Sequence, residues 1–175
     1  MRKILIAYSS VDGHTKKICE FASRLLTESG DHTTLMSVDE MARLRDESLE
    51  TYDVFLIGAA IRYGHHGKDV YRLLASKQST LERIGVYFFS VNLVARKPNK
   101  DSASTNPYLR KFLNKTQFKP TQCAVFAGKV DYKKYGFFDR VMIRFIMWLT
   151  KGPTQPDAEV EFTDWNAVER FVRAI

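Results

Sequence analysis

Cysteine is scarce in this sequence, with only Cys19 and Cys123 among 175 residues. The two fall in a predicted helix and a predicted strand, so we expect no disulfide framework, and a reducing compartment fits better. No Cys or His cluster has the spacing of a metal site, and the adjacent His65 and His66 would not easily share an ion, so we expect no metal. Long apolar runs are also absent: no stretch approaches the roughly 20 residues that span a bilayer, and we expect no export signal.

Glycine is sparse where known nucleotide motifs need it. The run Ile4–Tyr8 predicts a buried parallel strand, and the turn after it contains one glycine. No Gly-Lys-Ser/Thr follows, which excludes a Walker loop, and a dinucleotide fingerprint needs three glycines. The turn still predicts a phosphate site, because the free N–H groups of the next helix favour an anion; a helix cap without a ligand is the alternative. The small and polar residues of this turn are Ser9, Ser10, Asp12, Gly13 and Thr15.

Positive charge is concentrated in one segment. Residues 1–90 contain 12 basic and 12 acidic residues, whereas residues 91–151 contain 13 basic and three acidic residues, a net charge of +10. A localised positive field indicates an anionic partner, although a solvated face without a partner is the plainer alternative. Hydrophobic content of 45% and charged content of 27% are ordinary for a folded protein, and we expect one domain over residues 1–175.

Strands and helices alternate five times along the chain. This pattern predicts an α/β fold with a doubly wound, five-stranded parallel sheet. In the order 2-1-3-4-5, the polar turns after the first, third and fourth strands converge at one edge, where such sheets bind ligands. The predicted strands are Ile4–Tyr8, Thr33–Val38, Val54–Ala60, Gly85–Ser90 and Cys123–Ala127. The predicted helices are Gly13–Ser29, Asp69–Lys77, Asn106–Asn114 and Asp164–Ile175, and Asp39–Leu49 is predicted to be a short helix with a surface loop.

An insertion of about residues 129–156 follows the fifth strand. Residues 129–151 contain six aromatic and six basic residues against two acidic ones, and Phe137–Leu149 is predicted to be a helix with Arg140, Arg144 and Lys151 in one stripe. We interpret Tyr132–Lys151 as a surface for anionic lipid or as the wall of a hydrophobic site. Packing against the protein's own core, with snorkelling Arg side chains, is the alternative. The mixture of aromatic and aliphatic residues disfavours nucleic acid.

The first loop and the five alternating strands resemble the flavodoxin-like FMN proteins. Other segments resemble a narrower family, the quinone-dependent protoporphyrinogen IX dehydrogenases of proteobacteria, whose flavodoxin-like fold carries FMN. The run Ser90 to Pro98 (Ser-Val-Asn-Leu-Val-Ala-Arg-Lys-Pro) is the most specific of them. The others are Gly58 to His65, Tyr135 to Met147 with Asp139-Arg140, and Phe162 to Trp165.

The resemblance implies the positions of the cofactor. FMN phosphate is expected in the first loop, with Asp12 capping the helix rather than touching the phosphate. The flavin ring is expected between the second and third loops, with Tyr63 as the candidate for stacking on it. The expected cofactor-binding residues are Ser9, Ser10, Asp12, Gly13, His14, Thr15, Ala60, Ile61, Arg62, Tyr63, Gly64, Ser90, Val91, Asn92, Leu93 and Val94.

The resemblance also implies the reaction, which is oxidation of protoporphyrinogen IX with menaquinone or ubiquinone as acceptor, at the cytoplasmic face of the inner membrane. Candidate contacts to the substrate propionates are Arg62, Arg96, Lys97 and Arg140, since guanidinium pairs well with carboxylate. A homo-oligomer is possible. Three alternatives stay open: a flavodoxin-type electron carrier, an NAD(P)H:quinone reductase, and a peripheral membrane module without cofactor.

Overall fold

The computed structural model describes residues 1–175, and its order of elements alternates strands with helices. The strands are β1 (Lys3–Ser9), β2 (His32–Ser37), β3 (Val54–Arg62), β4 (His65–His66), β5 (Val86–Asn92), β6 (Gln122–Ala127), β7 (Lys129–Asp131) and β8 (Glu159–Glu161). The helices are α1 (His14–Glu28), α2 (Val38–Arg43), α3 (Asp46–Leu49), α4 (Lys68–Ile84), α5 (Pro107–Thr116), α6 (Phe137–Leu149) and α7 (Trp165–Arg173).

The central sheet has the order β2-β1-β3-β5-β6, and its strands are parallel. This is the predicted order 2-1-3-4-5, because β4 is a short antiparallel hairpin strand that pairs only with β3. The middle strands are almost continuously apolar, as strands covered on both faces must be. In β1, Ile4, Leu5, Ile6 and Ala7 are fully buried.

Helices cover both faces of the sheet. On one face, α1 and α7 pack Ile18, Leu26 and Phe171 against the side chains of Ile4 and Ile6. On the other face, α2, α4 and α5 contribute to a larger core of 20 buried residues. The hydrophobic stripes of these helices, at three- and four-residue spacing, explain the two layers. The predicted doubly wound architecture is confirmed.

Several predicted boundaries were wrong. The predicted helix Asp69–Lys77 runs on to Ile84, because Leu81 is fully buried and prolongs the apolar stripe beyond the polar stretch that suggested an end. The segment Asp39–Leu49, predicted as a short helix with a surface loop, contains two short helices, with Leu44 and Arg45 in extended backbone between α2 and α3.

The insertion is ordered around its own small core. Its strands β7 and β8 pair antiparallel, an element that the sequence did not predict. Helix α6 has the predicted bounds, and it packs Met147 against Val130, Tyr132 and Tyr135. The hydroxyl of Tyr132 donates to the carbonyl of Pro153 over 2.7 Å and ties the two ends of the insertion together. None of the helices combines the length and the apolar character that crossing a bilayer requires.

Candidate functional site

The three predicted ligand loops meet at the carboxyl edge of the sheet and enclose a cavity of about 480 Å³. Parallel strands that end at a common edge place their following loops side by side, so the site follows from the strand order. The loops after β1, β3 and β5 form three sides, and α6 closes the fourth. The lining residues are Ser10, Val11, Asp12, His14, Thr15, Ala60, Ile61, Arg62, Tyr63, Gly64, Val91, Asn92, Leu93, Val94, Tyr108, Gly128, Lys129, Tyr135, Met142, Ile143 and Ile146.

The first loop leaves a buried donor without a partner. The Oγ atom of Ser10 is inaccessible to water and makes no hydrogen bond in the protein. Beside it, Gly13 adopts a left-handed backbone with φ of 85° and leads into α1, whose first turn has no acidic residue and no side-chain cap. A helix start with free N–H groups and an unsatisfied hydroxyl next to it are suited to an oxyanion such as phosphate.

Asp12 does not cap α1, contrary to the prediction. Its carboxylate instead forms an ion pair with Arg62, with a distance of 3.4 Å between Nη1 and Oδ1. The guanidinium of Arg62 also contacts Asp139 on α6 at 3.0 Å and lies over the ring of Tyr135 at 5.5 Å. Arg62 therefore joins the first loop, the second loop and the insertion, and two carboxylates already neutralise its charge.

The second loop has the backbone conformation of a tight hairpin turn. Tyr63 and Gly64 both have positive φ, 51° and 79°, between the paired strands β3 and β4. A Cβ on Gly64 would lie 3.4 Å from the ring of Tyr108, in addition to the backbone cost of its φ. The ring of Tyr63 is 56% exposed at the rim of the cavity, where it is available to stack on a flat ligand.

The third loop is held by a buried amide network. The side-chain oxygen of Asn92 accepts from the N–H of Ala95 at 3.0 Å and from the amide of Asn106 at 3.2 Å. Asn106 in turn caps α5 by accepting from the N–H groups of Tyr108 and Leu109. These bonds fix the 3-10 turn Leu93–Arg96 against the cavity.

His14 lies at the junction of α1 and the insertion. Its Nε2 is 2.7 Å from the hydroxyl of Thr163, which itself donates to the carbonyl of Ala127. Because that hydroxyl has one proton to give, His14 donates through Nε2. Burial lowers the pKa of His14 from its ordinary value and favours the neutral ring.

Thirteen of the sixteen predicted cofactor residues line the cavity. The exceptions are Ser9, Gly13 and Ser90, which lie in the strand ends and the helix cap that shape it. Sequence reasoning missed Val11, Tyr108, Gly128, Lys129 and Tyr135 as lining residues, and it assigned none of the residues of α6 that line the cavity. The apolar side of α6 was the available signal, since Met142, Ile143 and Ile146 recur at helical spacing.

The predicted substrate contacts are not gathered in the cavity. Arg96 lies outside it and donates to the carbonyls of Leu93 and Thr150 and to the hydroxyl of Thr150. Arg140 also lies outside and donates to two backbone carbonyls of the insertion. Lys97 lines no part of the cavity, and Arg62 has the ion pairs described above.

The two arginines of the predicted basic stripe of α6 are hydrogen-bonded to the protein's own backbone. Arg140 and Arg144 donate to carbonyls of the insertion, and Lys151 lies beyond the helix end with φ of 55°. The surface of α6 is instead apolar, with Phe137, Phe138, Trp148 and Leu149 between 66% and 85% exposed. Only Met147 of this helix is fully buried, so the alternative of packing into the protein's own core is wrong for most of it.

The family comparisons agree with this architecture. A family model described as the flavodoxin domain matches residues 5–157. Two-electron reduced flavodoxin of Megasphaera elsdenii superposes with a TM-score of 0.53 at 13% identity, over 70% of this chain and 84% of that chain. The fold and the site together define a flavodoxin-domain protein with a flavin cofactor.

Two curated relatives narrow the class. Protoporphyrinogen IX dehydrogenase (quinone) of Escherichia coli K12 is 40% identical over 173 residues, which are 99% of this chain and 94% of the relative. The enzyme of the same name from Leishmania major is 42% identical over 172 residues, 97% of this chain and 72% of the relative. The chain belongs to the protoporphyrinogen IX dehydrogenase (quinone) family, and the resemblance predicted from its loops is confirmed.

Proposed function

We propose that this protein uses FMN to oxidise protoporphyrinogen IX to protoporphyrin IX and passes the electrons to a membrane quinone, menaquinone or ubiquinone. The observation that carries the proposal is the buried hydroxyl of Ser10, which has no hydrogen-bond partner and lies beside the uncapped N-terminus of α1. Ser10 and the first residues of α1 line a cavity that has an apolar wall on its other side. The names of the curated relatives support the same reaction.

The residues of the first loop fit FMN phosphate. The hydroxyl of Ser10 and the buried Thr15 lie next to the N–H groups that begin α1, and the loop has room for backbone contacts at Gly13. The aromatic ring of Tyr63 and the loop Val91–Val94 would hold the flavin ring between them. When bound, the flavin supplies the redox chemistry, since it takes a hydride equivalent from an organic substrate and returns electrons to a quinone.

The wall opposite these loops suits a large, apolar tetrapyrrole. Tyr135, Met142, Ile143 and Ile146 form it, and this insertion distinguishes the site from the open edge of a simple electron carrier. The side chains of Arg62, Asp12 and Asp139 hold the wall to the first loop and limit access of water. Exclusion of water protects a reactive, partly oxidised substrate from side reactions.

The outer face of α6 fits a membrane surface. Four large hydrophobic side chains, Phe137, Phe138, Trp148 and Leu149, are exposed on one short helix. The exposed Lys151, which lies just beyond the C-terminal end of α6, adds positive charge beside them. An apolar face with basic residues at its edge binds in the interface of an anionic bilayer. We place the protein at the cytoplasmic face of the inner membrane, where quinone and substrate are both concentrated.

Anaerobic turnover tests the reaction. Purified protein loaded with FMN receives protoporphyrinogen IX and a soluble menaquinone analogue, and porphyrin fluorescence is followed; a parallel sample receives NADH in place of the porphyrinogen. Fluorescence that depends on both protein and quinone is expected. Quinone reduction with NADH alone would instead make the protein a reductase, and neither reaction with flavin bound would favour an electron carrier.

Vesicle binding tests the membrane surface separately. The variant Phe138→Ser/Trp148→Ser removes two exposed side chains that line no part of the cavity. We expect it to lose sedimentation with anionic vesicles and to keep turnover with a soluble quinone. A matched variant, Arg24→Ser/Glu28→Ser, makes two serine substitutions at exposed positions of α1 that line neither cavity, and it leaves the net charge unchanged. Equal sedimentation of the α6 variant and the native protein would contradict the membrane assignment.

A further inference from the structure

A second, smaller cavity of about 130 Å³ adjoins the main one. The two cavities share Ile61, Gly64 and Tyr108, so the hairpin turn of the second loop separates them only in part. Helix α5 forms the far side of the second cavity with Tyr108, Lys111 and Lys115, which follow one another at helical spacing along one stripe. The other lining residues are His65, His66, Tyr71 and Phe112.

The two cavities differ in whether their basic side chains have carboxylate partners. In the main cavity, both long cations are already neutralised, Arg62 by two carboxylates and Lys129 by Glu159. In the second cavity, no acidic residue is part of the lining, and no carboxylate forms a salt bridge with Lys111 or Lys115. Lys115 is held by a cation–π contact, 5.2 Å above the ring of Tyr71.

Two like charges one helical turn apart repel each other and cost some stability of α5. An arrangement of this kind, without a carboxylate nearby, is suited to a ligand with two negative charges. His66 adds no positive charge, because its Nδ1 donates to the carbonyl of Ala60 and its buried Nε2 is therefore an acceptor. The positive charge of this cavity therefore comes from Lys111 and Lys115, and neither has a carboxylate partner.

We propose that Lys111 and Lys115 form the subsite for the two carboxylate side arms of the substrate, with Tyr108 guiding them out of the main cavity. This inference rests on the proposed function and names the specificity-determining residues of the same site. The propionates of protoporphyrinogen IX lie on one edge of the macrocycle, so they can reach two ammonium groups that are one helical turn apart. Arg62, Arg96 and Arg140 then make contacts within the protein and do not bind the substrate. Charge-assisted pairing of the propionates with Lys111 and Lys115 orients the macrocycle.

The variant Lys111→Gln/Lys115→Gln tests the subsite. Two ligands are compared at equilibrium with FMN-loaded protein, protoporphyrin IX and its propionate dimethyl ester, and turnover of the corresponding porphyrinogens is measured in parallel. We expect the variant to weaken binding of the diacid and to raise its KM by about tenfold or more, as for loss of charge-assisted pairs. Binding and KM of the ester are expected to stay within about twofold of the native protein.

The matched control is Arg110→Gln/Lys119→Gln, which removes the same two charges from exposed positions on and just beyond α5 that line neither cavity. It is expected to keep native KM for both ligands, which separates local pairing from a general loss of positive field. Equal binding of diacid and ester by the native protein would overturn the subsite, as would native diacid binding in the Lys111/Lys115 variant. Absence of turnover in the native protein would overturn the proposed function instead, and the equilibrium binding arm would still decide the subsite.

Discussion

Replacing Ser10 with alanine should change the flavin-free and flavin-bound proteins in opposite directions. In the flavin-free protein, the Oγ atom of Ser10 is buried without a partner. An unsatisfied buried polar atom costs about 1–3 kcal/mol. Its removal leaves a methyl group in the same space, so we expect Ser10→Ala to stabilise the flavin-free protein by about 1 kcal/mol against urea.

The same substitution should weaken FMN binding. A hydrogen bond to a charged phosphate oxygen contributes about 1.5–3 kcal/mol, and each 1.4 kcal/mol is a factor of about ten in affinity. We therefore expect the Kd for FMN to rise by about 10- to 100-fold, measured by quenching of flavin fluorescence on binding. Riboflavin, which lacks the phosphate, should bind native and variant proteins about equally.

Ser23→Ala is the matched control. Ser23 lies on α1 away from the first loop, and its hydroxyl is hydrogen-bonded to the hydroxyl of Thr33 in β2 at 2.7 Å. Loss of that bond is expected to destabilise the protein slightly and to leave FMN affinity unchanged. If Ser10→Ala destabilised the flavin-free protein, or if it bound FMN as tightly as the native chain, the assignment of the phosphate to this hydroxyl would be refuted.

Three further predictions concern the frame of the site. In a double-mutant cycle of unfolding free energies in urea, Arg62→Gln and Asp139→Asn should show a coupling energy of about 0.5 kcal/mol that falls with salt. Additive effects would show that this ion pair does not stabilise the contact between α6 and the second loop. Gly58→Ala places a Cβ 2.2 Å from the ring of Phe89, and it should cost about 1–3 kcal/mol in thermal or urea unfolding, whereas native stability would contradict the packing. Burial lowers the pKa of His66 to about 4. As the pH falls, the unfolded chain therefore takes up a proton at this residue before the folded protein does. The contribution of His66 to the free energy of unfolding should be fully present above about pH 6.5 and should be lost progressively towards pH 4. His66→Phe should remove that part of the pH dependence, and an unchanged profile would assign it to other groups.

The fold could be predicted from the sequence because its signals are local and repeated. Buried parallel strands are continuous apolar runs, and each is followed by a helix with one apolar stripe, so the order of the elements along the chain follows from short segments. The end of α4 could not be located in this way, since a polar stretch interrupts its stripe before Leu81. The pair β7–β8 was missed because strands of three residues have almost no periodicity to recognise.

The sequence predicted which loops form the site, but it did not predict which side chains pair with one another there. The loops follow from the carboxyl edge of the sheet, whereas the partners of Arg62 and Arg96 depend on where the insertion folds back. Arg62 pairs with Asp139, which is 77 positions away in the sequence, and no local pattern encodes such a contact. The charge of α6 was misread for the same reason, because backbone carbonyls of the insertion capture Arg140 and Arg144.

The central claim is that electrons from the porphyrinogen enter the flavin held by these three loops. A single-turnover experiment tests it most directly: FMN-loaded protein is mixed anaerobically with protoporphyrinogen IX in the absence of quinone, and flavin absorbance and porphyrin formation are followed together. Loss of oxidised-flavin absorbance on mixing, followed by recovery when a menaquinone analogue is added, is the predicted result. Flavin that stays oxidised while porphyrin appears, or that is bleached only by NADH, would contradict the account.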